Sequence, residues 1–485
     1  MRWTRLVVST ATIFALSCGT SKYEVLPEEG LPDEVAAERT DETSLEEATN
    51  SQTEDPFSAD ADTGAKAASL NKKTADLQTI LIEARARSTN VLRAEGKRTE
   101  AVGHREQSGG EFLPELHGGF RVRHLEGAEV GSLGPFAENL SFTEYEPSAS
   151  VEWRFSPFEQ IAAFRASRKE EKAATYEVAD ERRRAMEAAA KLYYRILLSR
   201  ASHRVASSLV EDAREFLTLA RARTSGGVES GSDVARAEAE LAEAKQKRQR
   251  TLKHWRVVSA ELAARLGWEQ VDRLVTPDND QTLTTRTIVE ESQTDRLISL
   301  AEKSRSDLKS AEKQVEAAEK RRVAAQWGVF GLQVGTSVGG RFIGVDLVDI
   351  GPSFIGRGFV GARIDFAQFG AVTAAKGREE VQNAERLKVE REIRREITTA
   401  KARLVSARNS LEEARNQLDA AERNHDIQKS RFEAGDAFGI EVIRAQNQLA
   451  EARLDLARRI ASYNLAQVEL LAATGRLSPD PFGDD

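Results

Sequence analysis

Residues 223–245 read RTSGGVESGSDVARAEAELAEAK, and residues 431–453 read RFEAGDAFGIEVIRAQNQLAEAR. Aligned without a gap at a constant offset of 208, as between Gly227 and Gly435, they share Arg223/Arg431, Gly227/Gly435, Gly231/Gly439, Val234/Val442, Arg236/Arg444 and the run Leu-Ala-Glu-Ala. Asp233/Glu441 and Lys245/Arg453 keep their charge. In each copy the paired glycines separate long Ala/Glu/Arg-rich stretches of helical periodicity, and glycine lets a chain reverse where a helix ends. Both stretches therefore read as tips of helical hairpins, and the chain as a tandem duplication of one unit.

That period organises 485 residues into two matching halves rather than three unrelated domains. Hydrophobic residues at 40%, charged residues at 31% and aromatics at 6% fit long amphipathic helices better than a thick core. A net charge of −8 supplies no basic face for nucleic acid, which removes that class of partner. The single cysteine, Cys18, closes the run Ala15-Leu16-Ser17-Cys18 after Arg2, Arg5 and an apolar stretch over 6–16. This has the form of a bacterial secretory signal ending in a lipobox, so Cys18 is a candidate lipidated N-terminus; plain signal cleavage or an uncleaved leader are the alternatives. No other apolar run approaches the roughly 18 residues of a membrane helix, so any membrane span has to be built from strands.

Residues 24–62 are acidic and aromatic-poor, with Pro27, Pro32 and Pro56 and only Arg39 for positive charge, the composition of a flexible tether. A chain of that kind from Cys18 to the first helix averages roughly 40 Å end to end. Helical periodicity is expected over 67–107, with Leu77, Ile80, Leu81, Ala84, Val91 and Leu92 on one stripe, until Gly109 and Gly110 stop it. Over 112–124, Phe120 and Val122 alternate with Arg121 and Arg123; after a polar loop, over 147–158, Val151, Trp153 and Phe155 alternate with Glu152 and Arg154. Ser156-Pro157-Phe158-Glu159 has the form of a capping box with proline at the first helical position, opening a helix to about residue 224 that would be roughly 100 Å long. The first tip and a return helix to Trp268 follow, then a linker marked by Pro277-Asp278-Asn279-Asp280. The second half repeats the plan: a helix to about Trp327, strands over 330–339 and 354–366 with Arg363 and Asp365 opposite Ala362, Ile364 and Phe366, a long helix over 369–432, the second tip and a last helix to about Gly475.

Each strand is close to the 9–11 residues that cross a bilayer when tilted, and each alternates apolar with polar. Hydrocarbon tolerates no open sheet edge, and four strands cannot close a barrel, whose smallest forms use about eight. Several chains must then contribute to one barrel. The competing reading is a pair of soluble hairpins.

The duplicated plan resembles the TolC-like outer-membrane efflux protein family. Its second tip reads Arg-(Tyr/Phe)-x-x-Gly, an acidic residue with Val-Leu, then Ala-Gln and a Leu-x-x-Ala run; this chain has Arg431-Phe432-Glu433-Ala434-Gly435, Glu441-Val442-Ile443, Ala445-Gln446 and Leu449-Ala450-Glu451-Ala452. Arg305-Ser306-Asp307-Leu308, with Ala311, Val315 and Ala317 beyond, is similar to the family's Arg-Pro-Asp-Leu with Ser306 in place of proline. The resemblance implies a mainly α protein with a membrane β-barrel portion: duplicated long-helix hairpins forming an α-barrel, and four strands per chain contributing to a trimeric 12-stranded barrel. It implies a homotrimer in outer-membrane lipid, a passive exit duct without catalysis or cofactor, docked by its tips to a periplasmic adaptor and an inner-membrane pump. On that plan the segments are a signal peptide over 1–17, a lipid-anchored tether over 18–66, a first repeat over 67–270, a linker over 271–286, a second repeat over 287–475 and a polar tail over 476–485. Arg223, Gly227, Gly231, Asp233, Arg431, Gly435, Gly439 and Glu441 would form the adaptor-facing tip, and Arg121, Arg123, Glu152, Arg154, Arg363 and Asp365 would face the barrel lumen. A longer acidic segment before the first helix, Gly226-Gly227 at the first tip and the lack of proline at Gly328 depart from the family pattern.

Other patterns lead away from catalysis. Gly335-Thr336-Ser337-Val338-Gly339 fits the hydrolase G-x-S-x-G elbow, but strand alternation runs straight through it. Gly356-Arg357-Gly358-Phe359-Val360-Gly361 fits a dinucleotide fingerprint, but strand-like residues follow where a helix has to begin. His104, His117, His124, His203, His254 and His425 show no metal-ligand spacing. Asp233 and Glu441 read either as partners for basic adaptor side chains or a cation-favouring pore ring, or as first-turn carboxylates set against the helix dipole. Arg223 and Arg431 read as last-turn cations or as partners of those carboxylates. Ala235, Ala239 and Ala242 read as close-packing positions. Two further functions fit the same sequence: a non-transporting envelope-spanning structural lipoprotein, which would not conduct ions, and a secreted soluble coiled-coil binding protein, which would need no detergent.

Overall fold

The architecture follows from where helical periodicity is interrupted. The computed structural model describes residues 72–129, 137–225, 231–269, 273–275, 293–344, 350–362, 364 and 366–480. Contacts divide the chain into Met1–Lys66 and Ala67–Asp485, and only the second unit contains described residues. The signal segment, Cys18 and the tether, together with Gly227, Arg363, Asp365 and most of the linker, lie outside the described residues.

The elements are β1 (Lys72–Thr74), α1 (Leu77–Arg87), α2 (Thr89–Gly110), β2 (Glu115–Glu129), β3 (Ala137–Phe155), α3 (Pro157–Ser225), α4 (Gly231–Leu266), β4 (Arg273–Val275), α5 (Thr294–Ser304), α6 (Ser306–Phe330), β5 (Leu332–Gly344), β6 (Ile350–Ala362), α7 (Gln368–Ala434) and α8 (Gly439–Ala473). The described residues are mainly helical, with one four-stranded antiparallel sheet of order β2-β3-β5-β6 and a short parallel pair β1-β4 among them. Helices α3 and α7, at 69 and 67 residues, are each roughly 100 Å long. Near the sheet the lateral order is α2-α3-α6-α7; toward the tips it is α4-α3-α8-α7, so α3 and α8 are central and α4 and α7 form the margins.

Several elements differ from the sequence expectation. The first helix begins at Leu77, where Asp76 accepts the Thr79 N–H at 3.1 Å, because 72–74 pair with β4 instead. Ser88 then breaks it with an extended backbone (φ −59°, ψ 132°), and Arg305 breaks the corresponding helix of the second repeat in the same way (φ −63°, ψ 125°). Leu92 falls on the far side of that break from the stripe and is exposed. At the start of α3 it is Gln160, not Glu159, that accepts the Ser156 N–H, at 3.1 Å. Phe330 ends α6 rather than opening a strand, since Gly331 (φ 40°) stops the helix one residue later. Strands β2 and β3 run well beyond the expected loop boundary. Pro147 read as a strand end, yet it lies within β3 opposite Phe120, and the β3–β5 register omits 146 and 147, where proline has no N–H to give. In the first four turns of α4 the buried positions are Ala237 and Ala244, while Ala235, Ala239 and Ala242 are exposed on the single chain.

Midway along the bundle, the Arg305 break meets the end of α8, and α1 joins the same apolar cluster as Val468, Ala472 and Leu477. Leu77, Ile80, Leu81, Ile196, Leu262, Leu266, Val468 and Leu477 form the largest apolar cluster there. Beside it Arg305, 2% exposed, donates Nε to Asp307 Oδ1 (2.9 Å) and Nη2 to Oδ2 (2.5 Å), and Nη1 to Glu396 (2.5 Å) and to the Ala473 carbonyl (3.1 Å). Arg183 reaches the Ala472 carbonyl at 3.3 Å, and Ser304 Oγ the Thr474 carbonyl at 2.5 Å. Two guanidiniums and a hydroxyl thus reach the carbonyls of Ala472, Ala473 and Thr474 at the end of α8, where cations also favour the helix dipole. Burial pushes the Asp307 carboxyl up, but the Arg305 guanidinium, with Arg183 behind it, outweighs burial and holds it below the usual carboxylate range.

Arg305→Met leaves Asp307, Glu396 and the α8 carbonyls without this donor and is expected to cost about 3–5 kcal/mol, read as a lowered thermal midpoint in detergent. The depressed Asp307 value fixes the sign of the pH dependence. The stabilisation is complete above the unfolded value of about 3.9 and vanishes as pH falls through the lower folded value. The gap between native protein and Arg305→Met should therefore narrow on acidification below about pH 4; a gap that widens contradicts the assignment.

Candidate functional site

The tip is built from the ends of α3 and α7. Helix α7 ends in a glycine turn: Gly435 adopts φ 91°, its N–H bonds the Phe432 carbonyl at 3.1 Å, and the Asp436 N–H bonds the Arg431 carbonyl at 2.8 Å. A side chain at Gly435 would be strained by that φ, which is why glycine recurs there. Beneath the turn Phe432 is fully buried among Phe216, Leu217, Ala220, Ala237, Ala437, Val442 and Ile443, with Phe216 and Phe432 ring centroids 5.4 Å apart. Gly439 opens α8 against Phe216, whose Cζ lies 3.0 Å from where a Cβ would stand. Gly231 opens α4.

The charged tip residues make the following contacts. The Arg223 guanidinium lies 4.5 Å over the Phe432 ring and donates to the Phe432 carbonyl, so the end of α3 holds the end of α7. Arg431 donates to the Asp436 carbonyl at 3.2 Å within its own turn. Asp233 pairs with Arg236 at 3.2 Å, and Glu441 accepts the Phe438 N–H at 3.3 Å. The first copy's arginine thus reaches across to the second hairpin while the second copy's stays local. Above the tip Lys429 bonds Glu215 at 2.9 Å, tying α7 to α3; that carboxylate raises the lysine. Sequence reasoning gave Phe216 no role and quoted Phe432 only within a motif. The signal was present: at the offset of 208 their counterparts are Asn424 and Thr224, so the aromatics mark where the two halves diverge.

At the other end the sheet has two chemically distinct faces. On one, Arg121 bonds Glu146 at 3.2 Å, Arg123 approaches Glu144 at 2.6 Å, and Glu146 also takes Arg341 of β5 at 3.1 Å. Arg154 contacts Glu152 at 3.2 Å on the same face, and His117 lies 3.2 Å from Glu115. On the other face Leu116 and Phe354 are 81% exposed and Val360 76%, with Phe120, Val122, Val151 and Val338 also exposed. Sequence reading missed Glu144, Glu146 and Arg341; the alternating Thr143-Glu144-Tyr145-Glu146 stretch just before Pro147 was absorbed into the loop the proline suggested. At the junction of strands and helices Phe158 stacks on Trp327 at 4.4 Å and Phe366 on Phe369 at 6.3 Å.

The enzyme-like motifs resolve as strand. Gly335 pairs with Phe359 and Ser337 with Arg357 inside the uninterrupted β5–β6 ladder, and a Cβ on Gly335 would stand 2.5 Å from the Phe359 ring. Those glycines make room for a cross-strand aromatic. Among the described residues no group of three or more His, Cys, Asp or Glu side chains is placed to hold a metal ion.

No curated protein sequence matches the chain. Solved structures with the same fold include the Campylobacter jejuni CmeC outer membrane channel, at 15% identity and a TM-score of 0.69, covering 82% of this chain and 85% of that one. The outer membrane protein VceC of Vibrio cholerae matches at 18% identity and a TM-score of 0.68, covering 82% and 96%. The open-state MtrE outer membrane channel of Neisseria gonorrhoeae matches at 14% identity and a TM-score of 0.64, covering 82% and 89%. The sequence profile described as outer membrane efflux protein matches residues 80–267 and 297–476, one match for each repeat. With both halves of the duplication matched and the fold shared, this chain belongs to the outer membrane efflux protein family, a family of passive outer-membrane channels.

Proposed function

We propose that the chain is one protomer of a trimeric exit duct, anchored by a lipid on Cys18, that docks through its tips to a periplasmic adaptor and an inner-membrane pump. The observation that carries this reading is the four-stranded sheet with one exposed apolar face, one ion-paired face and two outer strands, β2 and β6. In hydrocarbon each unpaired backbone group costs several kcal/mol, so β6 of one copy has to meet β2 of the next, and the antiparallel alternation fits that closure. Two copies would give eight strands, a barrel whose interior is filled by side chains; three give twelve and leave room for water around the polar face. The exposed alanines Ala235, Ala239 and Ala242 on the marginal helix α4 suit close contact with α7 of a neighbour in the same assembly.

On this reading Arg121, Arg123, Glu152 and Arg154 line the lumen with Glu144, Glu146 and Arg341, and Arg363 and Asp365 continue the pattern. Phe158, Trp327, Phe366 and Phe369 sit where interfacial aromatics mark the periplasmic edge of a membrane barrel. The tip residues Arg223, Gly227, Gly231, Asp233, Arg431, Gly435, Gly439 and Glu441 set the shape of the docking end, with Arg223 and Gly435 acting on the backbone turn itself. Energy for transport comes from the pump, since the duct only supplies a path.

Purified protein added to a planar bilayer should produce discrete ohmic conductance steps; a silent bilayer with correctly assembled protein would reject the duct in favour of a structural lipoprotein. Arginine at Val360, on the exposed apolar face, is expected to destabilise the inserted barrel by about 2–4 kcal/mol. Arg121→Gln on the opposite face should leave insertion intact and shift ion selectivity. The reverse pattern would turn the sheet inside out.

A further inference from the structure

The first residue before α8 breaks a local rule. Phe438 occupies the N-cap of α8 (φ −86°, ψ 150°), a position that favours Ser, Thr, Asp or Asn because a side-chain oxygen can take an open helix N–H. Phenylalanine offers none, and Phe438 is 76% exposed. The duplication supplies the comparison: at the offset of 208 Phe438 corresponds to Ser230 and Ile440 to Ser232, so the first copy carries ordinary polar residues where the second carries apolar ones. Ile440 is 36% exposed, and Glu433 and Asp436 are exposed close by. Phe438 is not part of the tip's buried apolar cluster, although its neighbours Ala437 and Val442 are. The second tip thus presents two apolar side chains two residues apart to solvent where the first carries serines, and one of them displaces a polar cap, a local rule broken without a gain inside the chain.

Resting on the docking reading above, we propose that Phe438, with Ile440, is the apolar anchor by which the second tip seats in a hydrophobic pocket on the periplasmic adaptor. Two features select that occupant. Phe438 lies at the far end of α7, roughly 100 Å from the sheet, which excludes outer-membrane lipid. Helix α8 has α3 on one side and α7 on the other, so its start is not on a margin of the protomer where a second copy would pack. An end-on protein partner remains, and a buried aromatic within a polar rim is the common form of an interface hot spot. The anchor is asymmetric: the second tip engages through its ring, and the first does not.

The test compares full-length native channel with Phe438→Ser, which restores the residue of the first copy, for binding to an immobilised, purified periplasmic adaptor from the same bacterium. Phe438→Ser is expected to weaken binding about thirtyfold or more, with bilayer conductance unchanged and thermal midpoint equal or higher. Native and variant channels binding alike would overturn the anchor and leave docking standing. Weakened binding with a lowered midpoint or altered conductance would overturn it too, assigning Phe438 to the fold. If neither binds while both conduct, the docking reading itself fails. Benzoylphenylalanine at 438, photoactivated in cells, should cross-link to the adaptor; cross-links between two channel chains instead would reject the adaptor as occupant.

Discussion

A strand edge in hydrocarbon has nowhere to put its N–H and C=O groups, and that constraint governs this protein. The sheet contributed by one chain has two outer strands, an apolar face exposed to its surroundings and a face of paired charges. Alone it is a fragment of a barrel. The same incompleteness extends into the helices, where α4 and α7 stand at the margins. On the proposed assembly, folding and oligomerisation are one problem: the arrangement that pairs the strand edges would also place four long helical segments per chain around a common axis.

The long helices need a fixed joint, because a rod of this length transmits any error at one end to the other. The joint lies where Ser88 and Arg305 break their helices with extended backbone and the end of α8 is bonded to the second break through Ser304 and Arg305. Arg305 is buried not as a lone charge but as a fork filled on all sides: two carboxylates and a helix-terminal carbonyl. The tip has its own smaller version of the same device, with Arg223 of the first hairpin bonded to the last turn of the second. In both places an arginine closes the C-terminus of a helix from another element, which converts parallel rods into a defined bundle.

Much of this could be read from the sequence for reasons of period. The duplicated tips were visible because glycine has to recur where a helix reverses, and Phe120-Arg121-Val122-Arg123 showed a strand because two faces of unlike chemistry demand a two-residue repeat. What stayed hidden depends on contacts between distant residues. Arg305-Ser306-Asp307 could be matched as a motif, but not the role of Arg305, since Glu396 and Ala473 reach it only in the fold. The outer halves of β2 and β3 were lost because Pro147 reads as a boundary, while the structure keeps the strand and gives up the β5 ladder at 146 and 147. Which alanines of α4 pack within the chain was not legible, because alanine carries almost no periodic signal of its own: Ala237 and Ala244 are buried in the single chain, while Ala235, Ala239 and Ala242 face outward. Phe438 required both kinds of reading: the duplication identified the substitution for serine, and only the coordinates exposed the ring.

The account stands on barrel closure between chains, and the most direct measurement is native mass spectrometry of the protein extracted from outer membranes in mild detergent. A particle of three chains is the predicted result, because twelve strands satisfy every edge and leave a lumen. A monomer stable without detergent would contradict it, since the exposed face of Leu116, Phe354 and Val360 and both sheet edges would then have to be explained without a membrane.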